Sequence, residues 1–102
     1  MSQIMLQTRR HAIGALRNLA AAPRRTKLTL CEYDNGKILD VLTDAALNDG
    51  DQTIVDASFA TIHNLAIHDT ATKIVERPAL VMALKNSLLA EERKANKEVM
   101  DI

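Results

Sequence analysis

Only two side chains in this sequence are aromatic, Tyr33 and Phe59, and tryptophan is absent. The apolar content is Ala, Leu, Ile and Val, which suits closely packed helices and fits a sheet core poorly. Glycine and proline are scarce, three and two in 102 residues, so the chain has few places to turn. That too favours helices, and the length leaves room for one small domain with one core.

The single cysteine, Cys31, excludes an internal disulfide and reads as a small buried hydrophobe in a reducing compartment. No N-terminal segment combines a charged start, an apolar run and a small-residue cleavage site. No stretch approaches the ~20 apolar residues that cross a bilayer, and no Asn-x-Ser/Thr acceptor occurs. A soluble intracellular protein, cytoplasmic or nuclear, is the expectation. The chain also lacks a glycine-rich phosphate loop, a G-x-S-x-G elbow and an H-E-x-x-H pair. His63 and His68, with Cys31 far away, do not have zinc-site spacing. Asp40 and Asp44 lie one helical turn apart, as carboxylates on solvated faces often do. No catalytic residue, metal or cofactor is expected.

What is present is a segregated charge pattern within a net charge of zero. Residues 1–30 hold Arg9, Arg10, Arg17, Arg24, Arg25 and Lys27 and no acid, giving +6. Residues 31–69 carry eight acids against Lys37, giving −7, and residues 70–102 give +1. Such polarity either steers a charged partner or reflects differing solvated faces. The arginines could meet nucleic-acid phosphates, but no aromatic residues accompany them for base stacking and the next segment is acidic. Nucleic acid is therefore disfavoured.

The chain also repeats itself. Ala15-Leu16-Arg17-Asn18-Leu19-Ala20 aligns with Thr61-Ile62-His63-Asn64-Leu65-Ala66 at a shift of 46, which also carries Ala12 to Ser58 and Thr26-Lys27-Leu28 to Thr72-Lys73-Ile74. The register then slips by four, placing Gly36-Lys37-Ile38 on Pro78-Ala79-Leu80 and Leu42 on Leu84. A third, weaker match sets Asp51–Val55 on Asn96–Met100. A period of roughly 40–47 residues is the mark of helical solenoids.

Each copy divides into three helical segments. Long helices are expected at about Ile4–Ala21 and Gln52–Ala66, with Asp51 as N-cap. Short ones follow at about Thr26–Asp34 and Thr70–Arg77, and medium ones at Lys37–Leu47 and Ala79–Ala90. Asn35-Gly36 and Pro78 mark the breaks before the medium helices, and Asn48-Asp49-Gly50 separates one of them from the next long helix. On the long helices, Ala12, Ile13, Leu16 and Leu19 share one side, as do Ser58, Phe59, Ile62 and Leu65. The opposite side carries Gln7, Arg10, Gly14 and Asn18, or Thr53, Asp56, Ala60 and Asn64, with Arg17 and His63 near its edge.

A long helix ending A-x-x-A-L-x-N-L-A, then a short helix, a Gly or Pro and a medium helix resembles the armadillo repeat, over nearly the whole chain. The resemblance implies an all-α, armadillo-type α-solenoid, a right-handed superhelix of three-helix repeats. Residues 1–21 would be the third helix of a first partial repeat, 26–66 a complete repeat and 70–102 a third, partial one. It implies a scaffold or adaptor that binds an extended segment of a partner protein along its concave face. Asn18 and Asn64 fall at the groove asparagine, whose amide offers donors and an acceptor to a peptide backbone. Arg10, Arg17, Asp56 and His63 complete the expected concave surface, with acidic ligand groups near the first repeat and basic ones near the second. Several family members carry a Trp four residues before that Asn. Here Gly14 and Ala60 stand there, which argues against the nuclear-import adaptor type. A two-helix HEAT-like array ranks second, and a nucleic-acid module using the N-terminal arginines is the alternative from another class.

Neither end matches a repeat boundary in this alignment. Ile4, Met5 and Leu6, and at the other end Val99, Met100 and Ile102, resemble core-helix residues rather than polar caps. The expectation is a segment of a longer array, with further repeats in the parent chain, or a truncated gene product. A separate small protein with improvised caps is the alternative.

Overall fold

A computed structural model describes residues 2–100 and is all-helical, with no strand among them. Six helices follow in order: α1 (Gln3–Ala20), α2 (Arg24–Glu32), α3 (Lys37–Asn48), α4 (Gln52–Leu65), α5 (Ala71–Val75) and α6 (Pro78–Met100). Ile102 lies outside the described residues.

The breaks have local causes. Ser2 caps α1 by accepting from Met5 N at 3.2 Å, and the Asp51 carboxylate caps α4 by accepting from Ile54 N at 3.1 Å. Between α2 and α3 the 3-10 turn Tyr33–Gly36 places Asp34, Asn35 and Gly36 in succession in the left-handed region, at φ 48, 54 and 83°. Asn, Asp and Gly tolerate that region best, so this tetrapeptide reverses the chain cheaply. After α4, Thr70 organises a second 3-10 turn, His68–Thr70: its hydroxyl donates to Leu65 O at 2.6 Å and accepts from Ile67 N at 3.0 Å. The second short helix is thereby reduced to Ala71–Val75.

The core collects Ile13 and Ala20 from α1, Cys31 from α2, Leu39, Leu42 and Ala46 from α3, Ile54, Ile62 and Leu65 from α4, Ile74 from α5 and Leu80 from α6. α4 is the central element, packed against both α1 and α3, while α6 lies on α3 and α5. Two residues assigned to the apolar side of α1 are not buried. Ala12 and Leu19 are exposed, and the covered side instead runs through Leu6, Ile13, Leu16 and Ala20. That stripe fits 3.6-residue spacing equally well, and the position of α4 decides between the two.

The largest departure is at the end of α6, which continues unbroken from Pro78 to Met100 instead of ending near Ala90. α3 stops at Asn48 because Asp49 adopts an extended backbone and Gly50 follows. The aligned positions in α6 are Ala90, Glu91 and Glu92, followed by Arg93, Lys94 and Ala95. All are strong helix formers, and nothing there stops the helix. No helix among the described residues is long and apolar enough to cross a membrane.

Candidate functional site

Polar ties at both ends align the two long helices. The Lys27 ammonium donates to Ala20 O at 2.5 Å and to Asn64 O at 2.6 Å, so one cation serves the carboxyl ends of α1 and α4. A positive charge is favoured there because both helix dipoles end in unsatisfied carbonyls. At the other end, Arg10 grips Asp51 through two hydrogen bonds, 3.1 and 2.6 Å, and Arg9 pairs with Asp49. These ties join the second turn of α1 to the start of α4. The helices therefore run side by side in the same direction, as the two copies of the sequence do.

The expected groove residues occupy equivalent places on this pair. Asn18 is exposed and Asn64 half-buried, and neither side-chain amide makes a hydrogen bond among the described residues. Gly14 and Ala60, four residues earlier, form a low floor. A β-carbon added to Gly14 would meet nothing within 4 Å. Arg17 and His63 are both exposed, and the His63 ring lies 6.5 Å from that of Phe59 between centroids. Asp56 is exposed and accepts from Gln52 Nε2 at 2.8 Å. Arg10 differs from the others, because Asp51 occupies its guanidinium. Arg17 is thus the exposed arginine of the expected set.

Much of the charge segregation is spent inside the molecule. Arg9 meets Asp49, Arg10 meets Asp51 and Arg24 meets Asp69, each joining a base of the first block to an acid of the second. The carboxyls respond. The hydrogen bond and charge of Arg10 hold Asp51 below the usual carboxylate range, and Arg24 does the same for Asp69. Asp49 is lowered first by the hydrogen bond from Asp51 N–H and then by Arg9. Further along, Arg77 donates to Asn35 O at 2.5 Å, Lys73 O at 2.8 Å and Asp40 at 2.9 Å, while Lys73 reaches Asn35 Oδ1 at 2.9 Å.

Sequence reasoning missed these ties, although a signal existed. Bases recur about one repeat length before acids, at Arg9 and Asp49, Arg10 and Asp51, and Arg24 and Asp69. Among the described residues no group of three or more His, Cys, Asp or Glu is placed to hold a metal ion. Burial raises the thiol of Cys31, which keeps it in the poorly reactive protonated form. No protein-family model, no curated protein and no solved structure matches the chain.

Proposed function

We propose that this chain is an armadillo-type α-solenoid segment that binds an extended peptide of a partner protein across α1 and α4 and catalyses no reaction. The observation that carries this reading is the pair Asn18 and Asn64. These are equivalent residues on two parallel helices, with exposed or half-exposed amides left unused by the fold. Amides placed this way suit the alternating donors and acceptors of an extended backbone. The low floor at Gly14 and Ala60 would let that backbone come close. Arg17 favours a carboxylate on the ligand near α1, and Asp56 a base near α4.

The internal pairing of Arg9, Arg10 and Arg24 weighs against the nucleic-acid alternative, since a phosphate backbone would have to compete with Asp49, Asp51 and Asp69. A cytoplasmic or nuclear location agrees with the lone buried thiol of Cys31.

The test is selection from a displayed library of random peptides on the 102-residue chain, followed by affinity measurements on Asn18→Ala and Asn64→Ala. Each substitution should weaken the selected peptides by about 1 kcal/mol, roughly fivefold, with helix content unchanged. Unchanged affinity in both variants, or a loss of helix comparable to a core substitution, would sink the reading.

A further inference from the structure

The two copies of the repeat bury different members of equivalent pairs, and the differences fall on two faces at opposite ends of the stack. On α4, Leu65 is 1% exposed, whereas its α1 counterpart Leu19 is 50% exposed. Thr61 and Ser58 are likewise buried, while their counterparts Ala15 and Ala12 are exposed. With α1–α3 taken as the first unit and α4–α6 as the second, the outer side of α1 is thus a leading face, equivalent to the side of α4 that the first unit covers. The reverse holds on α6. Leu39 and Ala46 of α3 are buried where α4 and α6 pack, yet the aligned Val81 and Leu88 are 43% and 61% exposed. Among the described residues this trailing face is open, and α6 continues to Met100 past the point aligned with the end of α3.

We propose that these faces are the two halves of one interface and that a second copy of this chain joins them. The α1 helix of one molecule would sit against α4 and α6 of another, in the place that α4 takes against α1 and α3 within each molecule. The occupant is argued from continuity with the internal junction. Ala12, Ala15 and Leu19 on the leading face and Val81 and Leu88 on the trailing face are exposed apolar residues that match residues packed inside the chain, while polar Thr8, His11 and Lys85 stand at the positions of buried Ile54, Ala57 and Thr43. Where the Arg9–Asp49 and Arg10–Asp51 ties would recur, no like charges meet. The residues equivalent to Arg9 and Asp49 are Val55 and Gln3, and those equivalent to Arg10 and Asp51 are Asp56 and Met5. The contact is head-to-tail, so it leaves one free face at each end and can propagate. The surface of Asn18 and Asn64 stays open.

Sedimentation of the 102-residue chain from micromolar to millimolar concentration should show a rising average mass. Leu19→Glu blocks the leading face and Leu88→Glu the trailing face. Each variant alone should remain monomeric with an unaltered helical circular-dichroism spectrum. An equimolar mixture should form a dimer and stop there, because each partner contributes its one intact face. Should either variant lose helix, Ala15→Glu or Val81→Glu replaces it on the same face. A wild-type monomer at every concentration would overturn the proposal and leave the faces to a foreign helix. So would a mixture that fails to dimerise, or a single variant that still assembles.

Discussion

The guanidinium of Arg77 fills the space that a β-carbon on Gly36 would need. It belongs to the second unit, yet it donates to the carbonyl of Asn35 in the left-handed turn of the first. Gly36→Ala should therefore cost on the order of 1–2 kcal/mol for the left-handed backbone alone. The displaced guanidinium would also lose bonds to Asn35, Lys73 and Asp40. Urea unfolding of Gly36→Ala, Arg77→Ala and the double variant should show strong non-additivity, because the second change removes part of what the first disrupts. Additive losses would mean that the two residues act independently.

Gly14 should behave in the opposite way. It sits inside α1 with no neighbour within 4 Å of an added β-carbon, so nothing in the fold requires a glycine there. Gly14→Ala should raise stability by about 0.5–1 kcal/mol, read as a higher urea midpoint. It should also weaken the peptides selected on the wild-type chain if the floor beside Asn18 is where a backbone comes close. A more stable variant with full peptide affinity would place the ligand elsewhere.

Acid should loosen the junction between the units. Asp49, Asp51 and Asp69 titrate below the ordinary carboxylate range in the folded chain. On acidification the unfolded chain therefore takes up protons first. Their contribution is present above the unfolded value of about 3.9 and is lost as pH falls through the lower folded values. The urea midpoint should fall steeply below about pH 4. Asp51→Asn, which preserves a good helix cap but removes the charge that Arg10 holds, should make that fall shallower. A midpoint equally steep in the variant would assign the acid response to other carboxylates.

The helices themselves were largely legible. Asp51 as a cap, the break at Asn35-Gly36 and the start at Pro78 follow from single-residue chemistry that acts within one turn. Two kinds of feature were not. Whether Leu19 or Ala20 faces inward depends on where α4 lies, and both choices satisfy the helical period. The end of α6 was misplaced because a weak repeat match at Asn96–Met100 suggested a new helix, whereas Glu91 to Ala95 contains no residue that stops the old one. Local pattern placed Asn18, Arg17, Asp56, His63 and Asn64 on or near one side of their helices, where the first four are exposed and Asn64 is half-buried. It could not reveal that Arg10 is already held by Asp51, because that pairing closes only when two distant helices meet.

The cross-unit ties carry a kinetic consequence. The hydrogen bonds from Arg9, Arg10, Arg24, Lys27, Lys73 and Arg77 to the other unit close loops of 37 to 45 residues. Loop-closure entropy grows only with the logarithm of length, so these closures cost nearly the same. Once α1 has found α4, the ties from Arg9, Arg10, Arg24 and Lys27 lie in or close to helices already side by side, and those from Lys73 and Arg77 follow. The search for native pairing is then won in one encounter, and the slow step in refolding should be the meeting of α1 with α4.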